Sequence, residues 1–353
     1  MKLFWKLLFG LFASIVGALI AEKLSIPLPW TLGPLLVIAL LRLNSIPVSS
    51  SKLLRNMGQW AIGMTLGLYF TPKVVGVISS YWVAMIAGLL FALFLGFYGT
   101  FILSRFGRVD LKTAWFSSAI GGANEMAVLA ERFGVRADLV ASAHTIRLVL
   151  VVLAVPFACD LFNVIGFENT LLEQRSFDFF GFIQICFVAA LGGVIAHYLG
   201  ISNAWILGPM FVVMGFTIAE VQFSSIPSDL TKAAQLFIGW SLGDKFRPGF
   251  FNKSPTFLFY VIVFSLSSMV FSFGYAGLLM FLTDLPLSTL AVSVAPGGIA
   301  EMAITAKVLH LGVPFVAAFQ VSRMVGVVLL TGPIYSYLLC RFWKEPTKVT
   351  NDI

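Results

Sequence analysis

The sequence predicts an all-α polytopic membrane protein made of two tandem six-segment repeats. Three observations carry that expectation. Charged residues make up only 11% of the chain and hydrophobic residues 59%, against roughly 25% charged in a soluble domain. Apolar runs of helical length follow one another along the whole chain, and the mean hydropathy is +0.96. Sliding the chain on itself by about 176 residues makes the two halves coincide.

The repeat is read residue by residue. Pro29-Trp30-Thr31-Leu32-Gly33-Pro34 returns as Ala204-Trp205-Ile206-Leu207-Gly208-Pro209. Gln59, Ile62, Gly63, Leu66, Gly67, Phe70 and Pro72 return as Gln235, Ile238, Gly239, Leu242, Gly243, Phe246 and Pro248. From Ser117 to Leu153 about 15 of 37 positions are identical without a gap. The expected units are a first transmembrane repeat at 1–165, a linker at 166–178, a second repeat at 179–343 and a polar tail at 344–353.

In the first unit the apolar segments run near 4–22, 30–42, 55–71, 76–104, 112–133 and 137–164. In the second they run near 179–199, 204–219, 229–246, 256–283, 288–308 and 313–342. Crossing the hydrocarbon core takes about 20 apolar residues. The first, fourth and sixth of each unit meet that length. The second is short and carries Gly-Pro, and the fifth is interrupted by Gly-Gly. The opening run, Lys2 to Ala21, has the look of a signal peptide. It is read as a spanning segment because its pattern recurs at 182–199, where Gly17, Ile20 and Ala21 match Gly192, Ile195 and Ala196.

The net charge of +7 comes from Lys and Arg in short loops, the arrangement that orients membrane proteins. If each fifth segment dips in and returns, the second repeat is inverted. About 16 basic residues, Arg42, Arg55 and Lys245 among them, then face the cytoplasm and about five face outward. With all segments crossing, the split falls to about 13 against eight. The inverted arrangement is therefore expected. Cys159, Cys186 and Cys340 form no CxxC, and the three His are scattered, so no disulfide framework, metal site or cofactor is expected.

The chemistry concentrates in the fifth segments. Gly121-Gly122-Ala123-Asn124-Glu125-Met126 is echoed by Gly297-Gly298-Ile299-Ala300-Glu301-Met302. Adjacent glycines weaken a helix, and Pro296 removes a backbone donor. Unwound backbone at membrane depth is tolerated where protein or a watered cavity surrounds it. Transporters use such interrupted helices in paired repeats to bind solutes and ions. A carboxylate in an apolar segment marks function, which singles out Glu125 and Glu301 as ion-coupling groups. The competing reading is that the glycines only let helices approach closely.

Arg147 and Arg323 each follow their Glu by about 22 residues in the sixth segments. Each is expected to pair with the Glu of its own half or of the other. That pair is either a structural clamp or a device in which Arg holds an anionic solute while Glu takes a proton; both remain open. Gly121, Gly122, Gly297, Gly298, Asn124, Gln59 and Gln235 complete the expected solute-binding set, with Asn124 also a candidate cap for a half-helix. His144 aligns with Gln320, one turn before Arg147, and is read as an interhelical hydrogen-bonding group in preference to a proton relay. Trp30 and Trp205 are read as interfacial anchors.

The tandem Pro-Trp-x-x-Gly-Pro, Gly-Gly-x-x-Glu-Met and following Arg resemble the AbrB-duplication family of membrane proteins, over about residues 5–342. Pro-Trp is intact at Pro29-Trp30 and becomes Ala204-Trp205 in the second copy. The resemblance implies a bacterial multi-pass inner-membrane protein, and such proteins carry the labels regulator of gene expression and ammonia monooxygenase. An oxygenase needs clustered His or carboxylate ligands, which three scattered His do not supply. A direct DNA-binding regulator needs a soluble basic module, and the loops hold none. The soluble AbrB transcription factors share the name with no visible sequence relation. The sequence thus favours a non-enzymatic, ion-coupled secondary transporter of a small solute, leaning toward an organic anion. The alternative is a membrane-embedded regulator acting indirectly. Expected partners are membrane lipid and a small-molecule or ion substrate, with no nucleic acid; a homo-oligomer is left open.

Overall fold

The computed structural model describes residues 2–161, 176–201, 203–246, 248–250 and 254–339, and the regular elements among them are helices. The first half holds α1 (Lys2–Lys23), α2 (Pro29–Leu43), α3 (Lys52–Gly67), α4 (Pro72–Ser80), α5 (Trp82–Arg105), α6 (Leu111–Ser118), α7 (Ala123–Arg132) and α8 (Ala137–Leu161). The second holds α9 (Phe179–Tyr198), α10 (Ala204–Ile218), α11 (Ser228–Gly243), α12 (Pro255–Leu282), α13 (Leu287–Val294), α14 (Ile299–Val308) and α15 (Val313–Ile334). The starts of α1, α2, α3, α6, α7 and α8 recur about 175–177 residues later. Most of the linker and all of the polar tail lie outside the described residues, as does Cys340.

Local chemistry sets several boundaries. The side chains of Ser51, Asp110 and Asp178 accept hydrogen bonds from the backbone N–H of Leu54, Thr113 and Gly181, capping α3, α6 and α9. One expectation needs correction. The fourth segment of the first half is not one run over 76–104 but α4 followed by α5. Thr71 caps α4 and Pro72 opens it, and α4 bends 87° away from α3. The Ser79 and Ser80 hydroxyls donate back to Gly76 O and Val77 O, and Tyr81 leaves helical geometry at φ −97°, ψ 16°. Serine side chains that satisfy backbone carbonyls favour such stops.

Among the described residues six helices are long and apolar enough to span a bilayer: α1, α5, α8, α9, α12 and α15 with its following turn. These are the first, fourth and sixth segments of each half. Their outer faces carry large apolar side chains such as Phe4, Phe12, Phe187 and Phe281. Rows of exposed apolar surface on that scale are covered by lipid, and the chain is a membrane protein.

The halves interleave. Helix α3 packs on α10, and α11 packs on α2, so each half's third helix rests on the other half's second. Together with α1 and α9 they form one bundle. Helices α5, α6, α7 and α8 pack with α12, α13, α14 and α15 into a second. Glycines make the first bundle tight. A Cβ on Gly63 would collide with the carbonyl of Ile206, and one on Gly239 with the carbonyl of Thr31. Gly17 meets Gly33 and Gly192 meets Gly208 in the same way. Small residues at membrane helix contacts let backbones approach.

Candidate functional site: two helix breaks at one cavity

Each fifth segment is two short helices. Helices α6 and α7 are separated at 119–122, and α13 and α14 at 295–298. The breaks share one geometry: Ala119 (φ −53°, ψ 129°) and Ala295 (φ −56°, ψ 139°) end the first half-helices. Gly122 and Gly298 are extended at φ −70° and −89°, a conformation open to any residue. The glycines leave the space that neighbouring side chains fill. A Cβ on Gly122 would strike the Glu125 carboxylate, and one on Gly298 that of Glu301. Cβ atoms on Gly121 and Gly297 would press on Met126 and Met302 at 2.7 and 2.8 Å. Each Glu therefore folds back over the first turn of its own half-helix, where the dipole favours a negative charge.

The arginines do something other than expected. Among the described residues neither forms an ion pair with Glu125 or Glu301. Arg147 Nη1 donates to Ala119 O at 3.0 Å and Nη2 to Gly121 O at 3.1 Å. Arg323 donates from Nη1 to Ala295 O and from Nη2 to Gly297 O at 2.7 Å. The physical reason is the break itself. It leaves the last carbonyls of α6 and α13 without intrahelical donors, and the planar guanidinium fork supplies two parallel donors plus a positive charge at the negative dipole end. Each break is thus charge-matched at both ends, by Arg behind it and Glu ahead of it.

His144 and Gln320 perform the same task in the two halves. His144 Nε2 donates to Phe116 O at 2.9 Å while Nδ1 accepts from Arg147 Nη2 at 3.0 Å. Gln320 Nε2 donates to Val292 O at 3.0 Å and its Oε1 accepts from Arg323 Nη2 at 2.5 Å. A carbonyl only accepts and a guanidinium only donates, so the partners assign a neutral His144 with its proton on Nε2. This favours the structural reading of His144. His144→Gln is expected to change stability by less than about 1 kcal/mol, measured as the thermal midpoint of the detergent-purified protein. A loss as large as that of His144→Leu would contradict it.

Both breaks open on one cavity of about 70 Å³, room for on the order of five waters. Gly121, Gly122, Glu125, Gly297, Gly298, Glu301, Gln59 and Arg323 line it. Glu125 is 8% exposed, and its Oε2 has no hydrogen-bond partner. Two expected members stand apart from the lining. Arg147 lies buried behind the break. Gln235 is buried within α11, away from the lining. The side chain of Asn124 lies outside the described residues.

Sequence reasoning missed Arg55, Lys245 and Asn203, which also line the cavity. The charges of Arg55 and Lys245 act on the Glu125 carboxylate, and Lys245 is also within electrostatic reach of Glu301. Both read as orienting loop charges because they stand at helix ends. Their counterparts in the repeat are Thr231 and Tyr69, so self-comparison does not single them out.

The cavity lies where the two bundles meet. Helix α3, the start of α10 and the end of α11 form one wall, and the two breaks form the other. Comparison with known proteins covers the same ground. An uncharacterized Bacillus subtilis protein, YhjN, is 27% identical over 352 residues, spanning 92% of this chain and 91% of the relative. An Escherichia coli protein named "Putative regulator AbrB" is 20% identical over 312 residues, spanning 87% of this chain and 89% of the relative. The family described as transition state regulatory protein AbrB matches residues 43–339. That stretch contains both breaks, both carboxylates and both arginines, and the chain belongs to the AbrB family.

Proposed function

We propose that this protein is an ion-coupled secondary transporter of a small solute in a bacterial inner membrane, and not an enzyme. The observation that carries the reading is the convergence of both helix breaks and both carboxylates on one cavity between two bundles. Glu125 and Glu301 are the coupling groups, since a carboxylate in an apolar setting exchanges a proton or a cation as its surroundings change. The moving parts are the two interleaved bundles, not the two sequence halves: the bundle holding the breaks shifts against the bundle holding α3 and α11. With the repeat inverted, rocking of one bundle against the other opens the cavity to alternate sides.

The test is flux in proteoliposomes driven by a pH jump. Glu125→Gln and Glu301→Gln are each expected to lower coupled flux about tenfold or more. Wild-type flux in both variants would remove the assignment. A second reading draws on the name of the Escherichia coli relative and the description of the family: a membrane-embedded regulator acting without transport. It predicts that an expression phenotype of a deletion strain is restored as well by the double Gln variant as by wild type.

A further inference from the structure

The charges around the cavity are unequal. Arg55, Lys245 and Arg323 line it as cations, and Glu125 and Glu301 as carboxylates. Arg323 is committed to the carbonyls of Ala295 and Gly297 and to Gln320. Arg55 and Lys245 are half-buried, and neither donates a hydrogen bond to a described residue. The carboxylate next to Lys245 is also occupied: Asp244 accepts from Ser50 N at 2.9 Å and Ser50 Oγ at 2.8 Å and pairs with Arg42 Nε at 3.0 Å. Opposite stands the buried Glu125 with an unpartnered Oε2.

We propose that Arg55 and Lys245 form the solute's anion site, and that the solute is a small monocarboxylate seated between them, opposite Glu125 and Glu301. This rests on the transport reading for its meaning, but not for its test. Three lining cations against two carboxylates leave the cavity net positive, which favours an anion. A guanidinium fork matches a carboxylate with two parallel hydrogen bonds, and an ammonium adds a point charge. Space for on the order of five waters fits a two-carbon acid. Glu125 faces both cations and Glu301 faces Lys245, so the solute competes with them. The site belongs to one wall and the carboxylates to the other, so an occupant bridges the two bundles.

The probe is choline glycolate titrated into the full-length protein in detergent, read by tryptophan fluorescence and thermal midpoint, against choline chloride. Glycolate is expected to stabilise the wild type more than chloride does. Arg55→Gln and Lys245→Gln are each expected to weaken its binding about tenfold or more. Arg55→Lys and Lys245→Arg keep the charge and are expected to retain measurable binding, which separates loss of the site from loss of the fold. Glu301→Gln removes a competitor and is expected to bind glycolate several-fold more tightly. Glycolate no better than chloride, or wild-type affinity in both Gln variants, overturns the proposal. Glycolate flux in proteoliposomes separates the two readings. Binding that needs Arg55 and Lys245 without flux sinks transport and leaves the site. Flux that needs Glu125 and Glu301 but ignores Arg55 and Lys245 sinks the site and leaves transport.

Discussion

Arg147→Met and Arg323→Met are each expected to destabilise the protein by about 3 kcal/mol. Each buried guanidinium serves two carbonyls at the end of a broken helix. Methionine fills much of the volume but supplies no donor. A buried acceptor left unsatisfied costs about 1–3 kcal/mol; loss of Arg147 orphans Ala119 O and Gly121 O, and loss of Arg323 orphans Gly297 O, while Ala295 O keeps Gly297 N and Gln320 Nε2. The Gln320 Oε1 that accepts from Arg323 loses its donor as well. The thermal midpoint of the purified protein should fall by several degrees, with partial recovery in Arg323→Lys, which restores charge without the planar fork. Glu301→Gln should leave the midpoint nearly unchanged, because Arg323 does not lean on that carboxylate. Were Arg323 instead one arm of a buried ion pair with Glu301, the two substitutions would cost alike. An unshifted midpoint in Arg323→Met would contradict the capping role.

Gly63→Ala and Gly239→Ala are expected to carry the next largest effects. At both positions the added methyl meets a backbone carbonyl of the opposing helix, Ile206 or Thr31. Side chains can rotate out of a collision, but a helix backbone cannot, so α3 must move away from α10 and α11 from α2. Overpacking of this kind costs about 1–3 kcal/mol per site. The two contacts lie in one bundle, so the double variant should show a non-additive loss. Gly274→Ala is the control: it sits in α12 with nothing within 4 Å of the added carbon, and an exposed helical Gly exchanged for Ala stabilises slightly. Equal midpoints for Gly63→Ala and Gly274→Ala would refute the close-approach account.

The expectation that Arg147 and Arg323 pair with glutamates failed for an instructive reason. The sequence shows that two buried charges of opposite sign exist near one another in each half. It does not show that unwinding at 119–122 and 295–298 creates acceptors nearer to the guanidinium than any carboxylate. The role of His144 was half legible. Alignment with Gln320 signalled a shared task, and neutral hydrogen bonding is the one task both side chains perform. Gln59 and Gln235 recur in sequence, yet one lines the cavity and the other does not.

What the sequence by itself determined is the membrane character, the helical elements, the two interruptions, and the duplicated Glu, Arg and Gly within them. These are local properties: hydropathy over a helix length, backbone-breaking residues, and similarity at a constant offset. Only the tertiary structure decided that the halves interleave into two bundles, that the arginines cap carbonyls, and that Arg55 and Lys245 stand in the cavity with both carboxylates. Those facts depend on which helix faces come together across more than a hundred residues of chain. Packing at that range is set by the sum of many contacts, glycine against backbone above all, and no single segment records it.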